Sequence, residues 1–239
     1  MYSVAKSLFY KFEHLCSDDT DKKRAHHEVS RQLADYGYPE SLIKRQLKRV
    51  LPNQYCQRDH NNYNSDMDIL LIQTGGTIDK CYPKRIGAYA FEFKESYAYN
   101  TLARFTQPGS ITISSQTPFL KDSQDIVLED RNSLLKLITE SRENKILITH
   151  GTDTLLETAR YLEKYIRSTL KRVILTGSSI PGVMKDTDAD FNIGFAFGIL
   201  CALDVPGTFI AIHGNLYKPW EVLRDSESGN YLRINRGQE

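Results

Sequence analysis

The apolar run Asp68-Ile69-Leu70-Leu71-Ile72 passes directly into Gln73-Thr74-Gly75-Gly76-Thr77-Ile78-Asp79-Lys80-Cys81-Tyr82, and this junction constrains the fold more than any other stretch. A short continuous apolar run of this kind predicts a buried parallel strand. The glycine pair ends the strand and lets the backbone turn sharply with no Cβ in the way. Two threonine hydroxyls flank the turn. Strand ends in open α/β sheets are where ligands bind, and a hydroxyl there is a candidate nucleophile when a base or a second polar group activates it. Taken alone, Gly and Thr after a first strand also serve simply to turn the chain or to bind an anion.

A second junction narrows the choice. Lys145-Ile146-Leu147-Ile148-Thr149 is another apolar strand, and it runs into His150-Gly151-Thr152-Asp153-Thr154. Here too a threonine follows a glycine at a strand end, now beside a carboxylate. If the two strand ends converge on one pocket, Thr77 attacks while Thr152 and Asp153 handle protons or orient a water. Backbone N–H groups at the Gly75-Gly76 and Gly151 turns are candidate oxyanion donors. Asp153 alone also suits the cap of a following helix. His150 and His213 both end strands and read as structural or pocket-wall histidines.

From residue 66 the chain alternates strand and helix patterns. Strands are expected at 68–73, 110–115, 145–149, 172–176 and 207–213, and helices at 129–143, 153–168 and 188–203. Such alternation predicts an α/β fold, a mainly parallel sheet with helices on both faces. Residues 86–93 read as a β-hairpin arm or part of a flap. Val173 to Pro181 forms a further strand ending in a small-residue turn on the same rim. Ahead of this domain, residues 1–52 read as a small N-terminal helical segment. Its apolar positions include Val4, Leu8 and Phe12, then Val29, Leu33 and Tyr36, then Leu42, Ile43, Leu47 and Leu51. Gly37 stops one helix and Pro39 starts the next. Residues 53–65, rich in Asn and Gln, read as a polar linker.

Lys44, Arg45, Lys48 and Arg49 make a basic face on the third helix, which reads as solvated. The first 65 residues hold 11 Lys+Arg against 8 Asp+Glu, only a mild excess. With a formal net charge of +1 for the whole chain, nucleic acid is not expected as a partner. His26-His27 point about 100° apart on a helix, so no metal is expected there. The four cysteines, Cys16, Cys56, Cys81 and Cys201, fit no zinc spacing and suggest no disulfide framework. No secretory signal and no membrane-length apolar run is visible. A cytoplasmic protein with no membrane contact, no metal and no cofactor is the expectation.

The two junctions together, Thr74-Gly75-Gly76-Thr77-Ile78 and His150-Gly151-Thr152-Asp153-Thr154, resemble the L-asparaginase/glutaminase family of threonine amidohydrolases, closest to its short-chain, single-domain members. The resemblance spans about residues 66–239 and makes them an asparaginase-like α/β domain. It implies that Thr77 is the nucleophile and that Tyr82 is the tyrosine that activates it. Thr152 and Asp153 match the second catalytic threonine and its aspartate. Asp122, Ser123 and Gln124 match the segment that reads the amino-acid end of the substrate, with Gly76 and Gly151 lining the same pocket. Thr187-Asp188-Ala189-Asp190-Phe191-Asn192 resembles the family's structural segment at the start of a later helix. The implied reaction cleaves the side-chain amide of L-asparagine or L-glutamine to the acid and ammonia through an acyl-enzyme. A homo-oligomer without the second domain of long-chain members is implied as well.

One position departs from the pattern. The family lysine that pairs with the aspartate falls, by spacing, on Arg224; Lys218 fits only with a different loop length. Arginine holds a carboxylate as a fixed cation but does not give up a proton in proteins. Two alternatives follow: a catalytically weak amino-acid-binding or regulatory module, which Arg224 favours, and an amidotransferase-like activity on a macromolecular substrate.

Overall fold

The computed structural model describes residues 68–88, 90–106 and 111–234, together with helical positions 30, 31 and 34. The chain divides into two compact units, Met1–His60 and Asn61–Glu239, and the elements below belong to the second. Apart from those three positions, the expected N-terminal helices, the basic helix face, His26-His27 and the linker lie outside the described residues.

The sheet begins with β1 (Ile69–Gln73). A two-stranded ribbon follows, β2 (Lys80–Cys81) antiparallel to β3 (Glu92–Phe93), and then helix α1 (Tyr97–Phe105). The chain continues through β4 (Ile113–Gln116), α2 (Leu128–Glu140), β5 (Lys145–Thr149), α3 (Leu155–Ile166), β6 (Arg172–Thr176), α4 (Ala189–Ala202) and β7 (Gly207–Ile212). It closes with β8 (Asn215–Tyr217) and a ribbon of β9 (Val222–Arg224) with β10 (Tyr231–Arg233). Six strands form one sheet in the order β4-β1-β5-β6-β7-β8. All neighbours are parallel except β8, which returns antiparallel along β7.

The apolar strands sort their side chains by alternation. Leu70 and Ile72 of β1, Ile146 and Ile148 of β5, Val173 and Leu175 of β6, and Ile210 and Ile212 of β7 face one side, where α2 and α3 cover them. Ile69, Leu71, Leu147, Ile174, Phe209 and Ala211 face the other, under α1 and α4. Both faces of the sheet are therefore dry, which is why its central strands read as continuous apolar runs rather than alternating ones. Among the described residues no helix is long and apolar enough to cross a membrane.

Strands β5 and β6 lie where the sequence places them, and β1 and β7 agree within a residue. The expected edge strand at 110–115 shifts to β4, whose residues are only half-buried or exposed, so burial leaves little pattern to read. Helix α1 is missing from the sequence reading because only Ala98, Thr101 and Leu102 of its nine residues are buried. The arm expected at 86–93 is a hairpin rooted earlier, at Lys80, with Arg85 donating to Glu92 across it (2.6 Å). Helix α3 starts two residues later than expected, at Leu155, which frees Thr152 and Asp153 from the helix.

Ile148 is fully buried at the centre of the sheet. Ile148→Ala removes three buried carbons where neighbours on both sides are fixed by the ladder. It is expected to cost about 2–5 kcal/mol, read as a lower midpoint in urea unfolding with an unchanged slope.

Candidate active site

Strands β1 and β5 are neighbours, but their connections leave in opposite directions. The chain goes from β1 to β4 on one side and from β5 to β6 on the other. A crevice opens at such a switch point, beyond the carboxyl ends of the strands. The register Gln73↔Thr149 brings both threonine junctions level at that rim.

Backbone bonds then fix the first junction. The Thr74 N–H and hydroxyl both donate to the Thr149 carbonyl, at 3.2 and 2.8 Å. Of the two threonines flanking the turn, Thr74 is thus consumed by structure, whereas Thr77 is half-buried at the head of a 3-10 turn, Thr77–Asp79. The Gly76 N–H donates to the Lys121 carbonyl at 3.0 Å, which takes that amide out of the expected oxyanion set. Gly76 matters instead through what it lacks. Its φ is +82°, and a Cβ there would sit 2.3 Å from the Gly151 nitrogen. A Cβ on Gly151 would in turn strike Ser123 at 2.7 Å. The two glycine turns pack back to back, and Thr77 and Thr152 are each the next residue along the chain.

The third loop is a 3-10 turn, Ser123–Asp125, with Asp122 at its head. The Thr154 hydroxyl donates to the Ser123 carbonyl at 2.6 Å and ties this loop to the β5 junction. Ser123 is buried against Gly151, and Gln124 Nε2 donates to Asp153 Oδ2 at 2.7 Å. Arg224 arrives from the β9–β10 ribbon: its Nη1 donates to Asp153 Oδ1 at 2.7 Å and its Nη2 to Thr152 Oγ1 at 3.4 Å. Asp153 therefore makes no cap for α3. The hydrogen bond from Gln124, and then Arg224, hold its carboxyl below the usual carboxylate range. Lys218 pairs with Glu221 at 3.9 Å, so Arg224 is the cation on Asp153.

The ribbon carrying Arg224 is itself braced. Val222 is fully buried, and Arg160 of α3 donates to the Pro219 and Val222 carbonyls at 3.0 and 2.9 Å. Tyr231 donates its hydroxyl to the Thr152 carbonyl at 3.0 Å, and burial pushes its pKa up to about 12. Tyr82 stands apart from this cluster. It is 57% exposed on the β2–β3 arm, with its ring edge-on to Phe91 at 5.9 Å.

His150 is fully buried, and desolvation lowers its pKa to about 4. Its Nδ1 lies 2.8 Å from the Gly151 carbonyl, so it is a neutral structural ring. The His213 N–H donates to Asn192 Oδ1 at 2.9 Å, and Asn192 Nδ2 donates to the Gly177 carbonyl at 2.9 Å. Asp188 accepts from the Ser179 and Ile180 N–H groups at 3.0 Å. The segment 187–192 thereby fastens α4 to the rim, as its resemblance implied.

Sequence reasoning passed over two charged residues here. Lys80 pairs with Asp122 inside the crevice. Asp79, only 3% exposed, ends the 3-10 turn that Thr77 begins. It accepts from the Tyr97 N–H at 2.9 Å and the Thr149 hydroxyl at 3.4 Å. The signal for Asp79 was available, since a carboxylate directly after Ile78 at a buried turn needs partners. Burial raises its pKa from 3.8 to about 6, against the lowering effect of its hydrogen bonds. A carboxyl whose folded pKa lies above its unfolded one favours folding while protonated, below about pH 4. That contribution fades as pH rises through about 6. At about 1.4 kcal/mol for each pH unit of that window, ionising Asp79 in the fold costs about 3 kcal/mol. Asp79→Asn is expected to gain thermal stability relative to the native chain as pH rises from 4 to 7, measured as the difference in Tm across that range.

The comparisons agree with this geometry. The sequence profile of the asparaginase N-terminal domain matches residues 68–229. The L-asparaginase of Bacillus licheniformis is 30% identical over 141 residues, covering 58% of this chain and 43% of that protein. The glutaminase-asparaginase of Pseudomonas fluorescens biotype A is 26% identical over 153 residues, covering 62% and 42%. The chain thus spans less than half the length of these two relatives. Among solved structures, the thermostable L-asparaginase from Thermococcus kodakarensis superposes with a TM-score of 0.60 at 28% identity, over 71% of this chain and 52% of that one. With the profile matched over most of its length and both threonine junctions seated at one switch point, this chain belongs to the asparaginase family.

Proposed function

We propose that this protein hydrolyses the side-chain amide of L-asparagine or L-glutamine, with Thr77 as the nucleophile and an acyl-enzyme as the intermediate. The observation that supports this reading is the contact between Gly76 and Gly151, which joins the loop of Thr77 to the loop of Thr152 and Asp153. Thr77 Oγ attacks the carboxamide carbon, a C–O bond forms, and the C–N bond breaks as ammonia leaves with the hydroxyl proton. Water held by Thr152 and Asp153 then opens the ester. Asp122, Ser123 and Gln124 read the α-amino and α-carboxylate groups, and N–H groups at the turns other than that of Gly76 face the oxyanion. Tyr82 reaches Thr77 when the β2–β3 arm folds over the crevice. The same proposal places the protein in the cytoplasm as a homo-oligomer.

Arg224 supports a second reading, a module that binds an amino acid and turns it over slowly. Its guanidinium is fixed to Asp153 and keeps its proton, so it cannot take part in the transfer that a lysine permits. A positioned proton-transfer group is worth about 10²- to 10⁴-fold in rate.

Ammonia release from L-asparagine and L-glutamine decides between them. The amidohydrolase reading expects release that Thr77→Ala abolishes, and a turnover increase of roughly tenfold or more in Arg224→Lys. A folded protein that releases no ammonia, with or without the Arg224→Lys change, would sink the hydrolase reading.

A further inference from the structure

The crevice holds two carboxylates, and each already has a cation of its own. Asp153 is bonded on both oxygens, with Arg224 on one and Gln124 on the other. Asp122 has Lys80 on Oδ2 and only the long Gln124 N–H contact, 3.5 Å, on Oδ1. The two cations are held very differently. Arg224 bonds Asp153, Thr152 and the Gly229 carbonyl (3.3 Å) and lies 6.0 Å from the Tyr231 ring centre. Among the described residues Lys80 has a single polar partner, Asp122, and it lies 5.8 Å from the Phe93 ring centre. A lysine is a point charge on a flexible four-carbon stem, whereas an arginine is a rigid fork. Of the two pairs, Lys80–Asp122 is the one that can open.

Its position gives the opening a meaning. Lys80 is the first residue of β2, three residues after Thr77, at the root of the β2–β3 arm. Its charge acts on Asp153 as well as on Asp122, so the ammonium stands in the field of both carboxylates. An amino acid at this rim brings one ammonium and one carboxylate. Inserted between Lys80 and Asp122, it restores both pairings with no net charge added: its ammonium meets Asp122 and its carboxylate meets Lys80.

We propose that Lys80–Asp122 is an exchangeable ion pair that a zwitterionic α-amino acid opens and completes, making Lys80 the residue that selects ligands with a free α-carboxylate. The inference rests on the reading of this rim as an amino-acid site and adds Lys80 as a residue that sets its specificity. Lys80 acts on specificity and positioning, and no bond-making step is assigned to it. A ligand whose α-carboxylate is capped leaves the Lys80 ammonium unpaired in a crevice where it is only 23% exposed. A ligand without an ammonium cannot displace it from Asp122. A charge-assisted hydrogen bond lost at such a site weakens binding by about tenfold to a hundredfold.

The test is calorimetric and needs no turnover. L-aspartate is titrated into the full chain alongside L-isoasparagine, its α-carboxamide counterpart, and N-acetyl-L-aspartate. The native protein is expected to bind L-aspartate at least about tenfold more tightly than either of the others. Lys80→Gln brings L-aspartate and L-isoasparagine to within about threefold of each other, and Lys80→Arg restores the preference. The pair of variants separates a folding defect from a lost charge, because a merely structural lysine weakens all three ligands together. An unchanged preference in Lys80→Gln overturns the proposal, and so does a native protein that binds L-aspartate no better than its capped analogues. Failure of the hydrolase reading appears elsewhere, as absent ammonia release, and leaves this binding preference in place.

Discussion

The contact between the Gly76 and Gly151 turns is the constraint on which the site depends. A sheet can bring two strand ends level, but it cannot by itself bring the loops beyond them into backbone contact. Here that contact needs two residues without Cβ atoms, one of them at φ +82°, where an L side chain is strained even in open space. A single methyl at either place would push apart the loops carrying Thr77 and Thr152. The neighbouring bonds serve the same end. The Thr74 hydroxyl, the Gly76 N–H and the Thr154 hydroxyl are all spent on backbone carbonyls of adjoining loops. Groups that sequence alone would nominate as chemical are thereby committed to geometry, and Thr77 is left as the hydroxyl at the rim.

Around that contact the charges are arranged in layers. Asp79 lies buried at the end of the Thr77–Asp79 turn, where burial opposes its ionisation and its partners are Thr149 and the first N–H of α1. Asp122 and Asp153 lie at the rim, each neutralised and each with its carboxyl held low, by Lys80 and by Gln124 with Arg224 respectively. The buried acid stiffens the floor, while the rim acids keep full negative charge near neutral pH. Two anions matched by two cations give a pocket with no large net charge but strong local fields. Such a pocket suits a zwitterion better than an ion of either sign.

How much of this was legible in the sequence varied with burial. Strands β5 and β6, buried on both faces, were readable to the residue, because continuous apolar runs bounded by turn residues admit few alternatives. Helix α1 and strand β4 were not, because one buries three residues and the other is an edge. The ribbon bearing Arg224 consists of three-residue strands whose order comes from Val222, Tyr217 and Tyr231 packing into the core, a tertiary cause with no local periodicity. Within the site, the threonines, Asp153 and Arg224 were visible through motif and spacing. Lys80 and Asp79 sat inside the quoted motif yet went unread, since their roles come from Asp122 and Thr149, 42 and 70 residues away along the chain.

The arginine at 224 is the place where fold and chemistry pull apart. A lysine there would need only to reach Asp153, but this guanidinium is built into the ribbon. It donates to Gly229, lies against Tyr231 and bridges Asp153 to Thr152. Tyr231 in turn bonds the Thr152 carbonyl, so the ribbon, its cation and the loop of Thr152 and Asp153 form one closed circuit. Such a circuit fixes Asp153 more firmly than a single ammonium would, at the expense of a proton that can move. The second cation, Lys80, is held by fewer groups among the described residues, Asp122 and the face of Phe93. In the proposed site the two cations then differ in kind: Arg224 holds its carboxylate in place, and Lys80 is the charge that a ligand draws away from its partner.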